Sequence, residues 1–429
     1  MVPATAIVIG AGNRGQNYAE YALEFPDRLK IVGVVEPRKF YREKLQSEHN
    51  IPQEAVFEDW RELIQRERFA DSVIVCTPDQ QHKDPVIACA KKGYHILVEK
   101  PMAVTAEDCR EIVSICQKEN VMLAVCHVLR YTPAARRIRQ IIDSGAIGDV
   151  VNIQHLEPIG HYHFAHSYVR GNWRNTETST FSLLAKSCHD LDLISYWLGG
   201  QKCTAVSSFG GLHHFTKKNK PAGASDRCLD CPVERSCPYS AKKIYLDRVK
   251  LGYRSWPLSV ITQVPDIESV TEALKSGPYG RCVYECDNDV NDNQVVNLQF
   301  EDGATVSFTM VAFTEQICQR QTKVHGTMGE LTCDFSKNVV KQFSFCDGDI
   351  ILHDLNKEQD AAAANSRLQG HGGADFYTID AFVEALLQND SSKIITGPEE
   401  SLASHLLCFA AEKSRIENRV VNPQQENLA

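Results

Sequence analysis

Short apolar runs alternate with amphipathic segments of helical length through the first 127 residues of the chain. The apolar runs occupy residues 7–9, 31–35, 72–77, 95–99 and 121–125. The amphipathic segments include residues 38–49, 82–92 and 106–118. Strands that alternate with helices of this length predict parallel β-α units with right-handed crossovers. We therefore expect residues 1–127 to form a domain built on a doubly wound parallel sheet.

The pattern changes after residue 127. A helix is predicted at about residues 133–144, and strand-like runs then dominate at residues 150–156, 204–209, 295–300, 304–310 and 321–325. Asp302-Gly303, between two of these runs, is typical of a hairpin turn. Consecutive strands without intervening helices indicate a mainly antiparallel sheet. Residues 128–429 are therefore expected to form an α+β domain, with two further helices at residues 374–387 and 401–417.

A glycine fingerprint follows the first apolar run. Gly10 permits a tight turn from strand to helix, Gly12 lets the backbone approach a pyrophosphate, and Gly15 lets the helix pack close to the strand. Glu36 lies 21 residues after Gly15, at the end of the second run, where a carboxylate accepts hydrogen bonds from the hydroxyls of an adenine ribose. This spacing predicts NAD, in preference to NADP, because Glu36 would repel a 2′-phosphate. A glycine turn that holds no nucleotide is the alternative.

The carboxyl ends of two later strands carry polar residues. Ligands bind at this edge of a parallel sheet, so Thr77-Pro78 and Glu99-Lys100-Pro101 are expected beside the cofactor. Partial desolvation there would favour a neutral Lys100, which could exchange a proton with a substrate hydroxyl while hydride moves to the nicotinamide. A solvated loop lysine is the alternative. The predicted cofactor-binding residues are Gly10, Gly12, Asn13, Arg14, Gly15, Glu36, Thr77, Pro78, His82, Glu99 and Lys100.

A predicted helix that ends near Gly199 carries a second pair of candidate groups. Lys186 and His189 lie three positions apart and therefore share one face of that helix. A histidine near a lysine can act as an acid, a base or a hydroxyl-binding group. A single histidine on a helix is more often structural, so this pattern alone leaves both roles open.

These segments together resemble the glucose–fructose oxidoreductase/inositol dehydrogenase (Gfo/Idh/MocA) family. The resemblance rests on the glycine fingerprint, Cys76-Thr77-Pro78 with His82, Glu99-Lys100-Pro101, and His189-Asp190-Leu191-Asp192. It implies a nicotinamide-binding Rossmann domain and an open-faced sheet domain that carries a sugar site and often mediates homo-oligomerisation. Carried over by this resemblance, Lys100 and His189 match the family's catalytic lysine and histidine.

One position departs from the family pattern. The family commonly has an aspartate four residues before the histidine, and here that position is Ala185. Lys186 is therefore a third catalytic candidate, as a partial replacement. The main hypothesis is an NAD-dependent oxidoreductase that moves a hydride between a ring carbon of a sugar and the nicotinamide. One alternative is a glycosidase that oxidises transiently, eliminates, adds water and reduces again. A non-catalytic NAD-binding sensor is the other.

Two further segments are expected to face the substrate. One is a stretch dense in histidines, aromatics and arginines, which suits a polar ligand because aromatic rings stack on sugars and arginine binds carboxylate or phosphate. The other is the glycine-rich loop at residues 370–375. Ordinary surface loops are the alternative for both. The predicted substrate-binding residues are His163, His166, Tyr168, Arg170, Trp173, Arg174 and His371.

Composition narrows the class of protein. The chain has 429 residues, 43% of them hydrophobic and 24% charged, as in a soluble globular protein large enough for two domains. Its net charge of −9 argues against nucleic acid as a partner, since such a surface needs a basic stripe. No apolar stretch approaches the ~20 residues that span a bilayer, and the first strand starts too early for a preceding signal peptide. We expect a cytoplasmic protein without a membrane partner.

In that compartment the 16 cysteines are expected to be buried hydrophobes or metal ligands, not disulfides. Residues 211–290 do not fit the sheet and are interpreted as a cysteine-rich insertion. It holds Cys228, Cys231 and Cys237 at C-x2-C-x5-C spacing, with Cys282 and Cys286 downstream. These three with Cys286, or else Cys282, predict one structural zinc that keeps the insertion ordered. Iron with similar ligands and scattered structural cysteines are the alternatives.

Overall fold

Two β-sheets organise the part of the chain that the computed structural model describes, residues 2–357 and 361–428. The first sheet has six strands, all paired in parallel, in the order β3-β2-β1-β4-β5-β6. Its strands are β1 (Ala4–Ile9), β2 (Leu29–Val35), β3 (Val56–Phe57), β4 (Ser72–Val75), β5 (His95–Val98) and β6 (Leu123–Val125). The predicted doubly wound sheet is confirmed, and its strand order reverses between β1 and β4, where such sheets bind nucleotides.

Both faces of this sheet are covered by helices. In β1, Val8 belongs to one hydrophobic core, whereas its neighbours Ile7 and Ile9 belong to the core on the opposite face. Because both faces are buried, the strands appear in the sequence as continuous apolar runs without alternation. The connecting helices are α1 (Asn13–Glu24), α2 (Lys39–His49), α3 (Trp60–Gln65), α4 (Lys83–Lys91) and α5 (Ala106–Lys118).

The second sheet has eight strands in the order β14-β13-β12-β11-β7-β10-β9-β8. Its strands are β7 (Val150–Pro158), β8 (Cys203–Gly211), β9 (Asn293–Phe300), β10 (Thr305–Val311), β11 (Gln321–Gly326), β12 (Gly329–Asp334), β13 (Val339–Ser344) and β14 (Ile350–Asp354). Only the β7–β10 pair in this sheet is parallel. The predicted mainly antiparallel sheet is confirmed, and so is the hairpin at Asp302-Gly303, where Gly303 has a φ of +93°.

One face of the second sheet is covered and the other is open. In β10, Val306, Phe308 and Met310 are buried, whereas Thr305 and Ser307 are exposed. The sequence patterns did not predict β12, β13 or β14. β14 lies at the sheet edge with every residue at least partly exposed, so its short apolar run has no alternation that marks a strand. β12 does alternate between buried and partly exposed residues, so its pattern was present and was overlooked.

The covered face packs against α8 (Ser182–Trp197), which is the most buried helix of the second half. All residues of α8 except Tyr196 are buried, because it lies between β7 and α14 (Pro398–Glu417). The remaining helices of this half are α6 (Pro133–Asp143), α7 (His161–Phe164), α9 (Asp247–Lys250), α10 (Leu258–Ile261), α11 (Ile267–Ser276), α12 (Ala361–Asn365) and α13 (Ala374–Gln388).

A search of the described ranges finds no helix long and apolar enough to cross a membrane. The boundary between the two domains at residue 127, the extent of the insertion and the cytoplasmic location stay predictions.

Candidate active site

The glycine fingerprint forms a tight turn between β1 and α1. Gly10 has a φ of +93°, and a Cβ there would lie 2.6 Å from the carbonyl oxygen of Cys76. A Cβ on Gly15 would lie 2.0 Å from the carbonyl oxygen of Gly10. Gly12 precedes α1 and provides no side-chain cap, so the first backbone N–H groups of this helix have no side-chain partner from it. This geometry fits a cofactor pyrophosphate at the helix N-terminus.

Glu36 lies directly after β2, next to this turn, and its side chain is held in place. Glu36 is buried, and its carboxylate accepts hydrogen bonds from the backbone N–H of Ala11 at 2.9 Å and from the Nε of Arg38 at 2.7 Å. Burial alone would raise the pKa of Glu36, but the hydrogen bonds from Arg38 outweigh it and lower the pKa. An ionised carboxylate is therefore fixed where the ribose was predicted, with Arg38 as its neighbour.

Arg14 joins the cofactor turn to two distant segments. Its Nε contacts Glu99 Oε1 at 2.6 Å, and its Nη1 contacts Asp375 Oδ2 at 2.6 Å. Asp375 also accepts a hydrogen bond from Asn17 at 2.8 Å and contacts His371 Nδ1 at 2.9 Å. Burial would raise the pKa of Asp375, but Arg14 and His371 hold it well below the usual range. Asp375 is a residue that the sequence analysis missed, although it belongs to the glycine-rich loop singled out there.

His82 connects the two predicted strand-end loops. Its Nε2 lies 2.8 Å from the carbonyl oxygen of Thr77 and its Nδ1 lies 2.7 Å from that of Pro101. Both ring nitrogens are thus engaged by backbone carbonyls. His82 positions the loops after β4 and β5 relative to each other, and its ring nitrogens are not free for a ligand.

Lys100 and His189 come from different halves of the chain and are brought to the same place. Lys100 Nζ donates a 2.7 Å hydrogen bond to the carbonyl oxygen of Ala185, one turn before His189 on α8. Burial, and then Lys100 and neighbouring histidines, lower the pKa of His189 well below its usual value. The buried Nδ1 of His189 has no hydrogen-bond partner among the described residues. A neutral imidazole and a lysine are therefore available together at the cofactor edge of the first sheet.

Lys186 lies on the same helix but has other partners. Its Nζ lies 3.3 Å from Glu157 Oε1 and donates to Cys318 Sγ at 2.9 Å. Burial would lower the pKa of Lys186, but Cys318 and Glu157 together raise it well above its usual value. Lys186 is therefore a fixed ammonium ion. The group that meets Lys100 at the aspartate position of the family is the backbone carbonyl of Ala185, not the Lys186 side chain.

The predicted substrate-binding residues divide into two groups. His371 has its ring centroid 5.9 Å from that of His189, and His163 Nδ1 lies 3.5 Å from Cys318 Sγ, which Lys186 of α8 contacts, so both histidines are near α8. The others are occupied within the fold. His166 contacts Tyr245, Tyr168 stacks on Phe164, Trp173 lies near Tyr168, Arg170 donates to the carbonyls of Arg281 and Tyr239, and Arg174 pairs with Asp287.

The structure does not support the predicted zinc site. Across residues 2–357 and 361–428, no group of three or more His, Cys, Asp or Glu side chains is placed to hold a metal ion. Cys228 Sγ accepts a hydrogen bond from Arg170 at 3.4 Å, and Cys286 Sγ donates to the carbonyl of Cys282 at 3.3 Å. Cys228, Cys231, Cys237 and Cys282 line a cavity of about 20 Å³ together with the fully buried Arg170. Hydrogen bonds within the fold thus engage sulfur atoms that the spacing assigned to a metal.

Aromatic packing contributes to the order of the insertion instead. The rings of Phe215 and Tyr239 lie 4.9 Å apart, and Phe215 also stacks on Phe313 at 5.7 Å. His214 adds an edge contact to Tyr284 at 5.4 Å. This cluster includes rings from both ends of the insertion, which the sequence analysis did not identify as a source of order.

Comparison with known proteins is consistent with this arrangement. Residues 5–127 match the model of the Gfo/Idh/MocA oxidoreductase family for its NAD-binding Rossmann fold. Residues 139–422 match the model for the C-terminal alpha/beta domain of the same oxidoreductase family. The chain belongs to this family. The predicted resemblance, the fold and the assignment as an NAD-dependent oxidoreductase are thereby confirmed.

Several known proteins align with part or most of this chain. The protein YteT of Bacillus subtilis (strain 168) is 24% identical over 82% of this chain and 81% of its own length. The 2,7-anhydro-N-acetylneuraminate hydratase of Escherichia coli (strain K12) is 28% identical over 48% of this chain and 53% of its own. The scyllo-inositol 2-dehydrogenase (NAD(+)) of B. subtilis is 29% identical over 48% and 56%. These last two alignments each cover about half of the named relative.

Solved structures support the fold of the whole chain. Levoglucosan dehydrogenase in complex with NADH and L-sorbose has a TM-score of 0.70 at 16% identity, over 98% of this chain and 99% of that one. At this identity the likeness concerns the fold alone.

Glu36→Ala is expected to weaken NAD binding by about 10- to 100-fold, the worth of hydrogen bonds to an ionised carboxylate. Its affinity for NADP should fall less or rise, because Arg38 is then free to meet a 2′-phosphate. Titration with both cofactors measures the two dissociation constants. Glu43→Ala, which removes an exposed carboxylate of α2 that pairs with Lys39, is the matched control and should bind like the wild type. An unchanged ratio of the NAD and NADP dissociation constants in Glu36→Ala would refute the role assigned to Glu36.

Proposed function

We propose that this protein transfers a hydride between a ring carbon of a sugar or sugar derivative and the nicotinamide of NAD. The observation that carries the proposal is the contact of Lys100 with the α8 turn that holds His189. This contact places a lysine at the cofactor edge of the first sheet beside the helix that covers the second sheet and carries a neutral histidine. Two relatives have names that refer to an inositol and to an anhydro-sugar acid, and these names support a polyhydroxylated substrate.

Lys100 and His189 divide the work at the substrate hydroxyl. When bound, NAD accepts or returns the hydride. Lys100 Nζ uses one position for the Ala185 carbonyl, which leaves its other positions for a substrate oxygen. The neutral imidazole of His189 can accept a hydrogen bond from the same or a neighbouring hydroxyl. The hydroxyl proton passes to Lys100 as the hydride leaves the carbon.

His371 and His163 are the proposed substrate-binding groups beside this pair. His371 is oriented by Asp375 at 2.9 Å, and Asp375 is itself held by Arg14. Lys186 is proposed to act as a positioning residue, because its ammonium ion is engaged by Glu157 and Cys318. Of the other predicted residues, Gly10, Gly12, Asn13, Gly15 and Glu36 are proposed to hold the cofactor.

Ala185 favours a second candidate function. A backbone carbonyl cannot take a proton from Lys100, whereas the aspartate common in the family could. The proton therefore stays on Lys100 and is available to return to the substrate. This suits a cycle in which transient oxidation is followed by elimination, addition of water and reduction, so that no cofactor is consumed. The relation to a 2,7-anhydro-N-acetylneuraminate hydratase points in the same direction.

Homo-oligomerisation through the open face or edge of the second sheet is also proposed. Exposed apolar residues of β14, Ile350, Ile351 and Leu352, lie at one edge of that sheet. Burial of such residues against a second copy would remove them from water.

Lys100→Met is expected to lower turnover by about two orders of magnitude or more, the usual contribution of a general acid or base, while NAD affinity changes little. Stopped-flow or steady-state kinetics measure turnover, and a titration with NAD measures its dissociation constant. Lys92→Met removes a partly exposed lysine whose side chain donates only to the Arg66 carbonyl among the described residues, and it should leave both values unchanged. Loss of NAD binding in Lys100→Met would instead give Lys100 a structural role in the cofactor site. An unchanged turnover number in this variant would show that another group carries the proton.

Absorbance at 340 nm with free NAD separates the two enzymatic candidates. Net oxidation of a sugar accumulates NADH in proportion to product. The elimination and hydration cycle turns over a glycoside or anhydro-sugar with no lasting change at 340 nm, because the hydride returns. Tight NAD binding with turnover of neither class would contradict both candidates and favour the non-catalytic sensor.

A further inference from the structure

The insertion places a partly exposed tryptophan near the catalytic helix. Trp256 lies between α9 and α10 and is 37% exposed. Its ring centroid lies 4.9 Å from that of His163 and 5.4 Å from that of His166, and each pair of ring planes is close to perpendicular. These two histidines hold the indole in one orientation and leave part of it open to solvent.

His163 connects this tryptophan to the site. Its Nδ1 lies 3.5 Å from Cys318 Sγ, which accepts a hydrogen bond from Lys186 Nζ at 2.9 Å. Lys186 lies one turn of α8 from His189. Trp256 is therefore separated from the catalytic helix by one histidine and one cysteine, which places it at the rim of the site and not within it.

A second ring continues this surface. The Tyr162 centroid lies 6.2 Å from that of Trp256 with an angle of 38° between the planes, and the Arg248 guanidinium lies 4.3 Å from the Tyr162 centroid. Tyr162, His163 and Trp256 are all at least partly exposed. We call these three residues the aromatic platform. Arg248 and Trp256 both come from the insertion, whereas Tyr162 and His163 come from α7.

We propose that the aromatic platform binds a second ring of the substrate, next to the sugar ring that is oxidised. The substrate class is then a glycoside with a cyclic aglycone, or a disaccharide, and not a free monosaccharide. A single exposed apolar side chain is ordinary on a protein surface, but Trp256 is fixed by three neighbouring rings beside the site. Flat aromatic faces stack on the apolar faces of sugar and aryl rings. This inference rests on the proposed function for the position of the oxidised ring.

The test compares methyl and p-nitrophenyl glycosides of glucose, galactose, mannose and N-acetylglucosamine, in both anomers. Dissociation constants are measured by calorimetry on the NAD-loaded protein, and turnover is measured in parallel. We expect at least one p-nitrophenyl glycoside to bind about tenfold more tightly than its methyl counterpart, a gain typical of one aromatic contact. Trp256→Ala should reduce the ratio of the methyl to the p-nitrophenyl glycoside dissociation constant to less than about threefold and leave methyl glycoside binding unchanged. Trp256→Phe should retain most of this preference for the aryl ring.

Tyr253→Ala is the matched control, because Tyr253 is an exposed ring of the same segment with no aromatic contact in the described structure. It should retain the full ratio. The platform proposal is overturned if no glycoside binds, if the wild type shows no preference for the aryl ring, or if Trp256→Ala weakens both glycosides alike. Trp256-dependent binding without turnover would support the platform and contradict the proposed redox function instead.

Discussion

The candidate site depends on the ion pairs that the guanidinium of Arg14 makes with two carboxylates. It lies at the start of α1 and contacts the carboxylates of Glu99 and Asp375, which are 85 and 361 residues away in the sequence. Asp375 is fully buried, so loss of Arg14 would leave its carboxylate with only Asn17 and His371 as partners, and removal of one partner of a buried ion pair typically costs about 3–5 kcal/mol. Arg14 therefore fixes the loop that carries Lys100 and the loop that carries His371 relative to the cofactor turn.

Helix α8, which carries His189, is held by a second set of buried charges. Arg320 contacts Asp190 at 2.6 Å and Glu157 at 3.1 Å, and Glu157 also contacts Lys186. These two cations and two anions compensate each other in the interior. In this network the ammonium ion of Lys186 balances the carboxylate of Glu157. The network leaves His189 as a neutral group, one turn from the carbonyl that receives Lys100.

Much of this arrangement could be predicted from the chain, where local pattern and chemistry agree. The first sheet was predictable because both of its faces are buried, and the fingerprint glycines because only glycine fits the turn at Gly10. Asp375 was not predictable as a site residue, since its partner Arg14 is 361 residues away. The zinc prediction is not supported, because a buried arginine, Arg170, and local carbonyls engage the sulfur atoms, and the spacing of the thiols along the chain does not report these contacts.

Hydrogen exchange in Arg14→Met tests the central claim, that one guanidinium holds two distant loops in a common site. The account predicts faster amide exchange in both the 99–102 and the 370–375 segments, because both carboxylates lose the same partner. The amides of β2, which Arg14 does not contact in the described structure, serve as the internal reference. Faster exchange in both loops, with β2 unchanged, is the predicted result. A change confined to the start of α1, with both loops protected as in the wild type, would contradict the account.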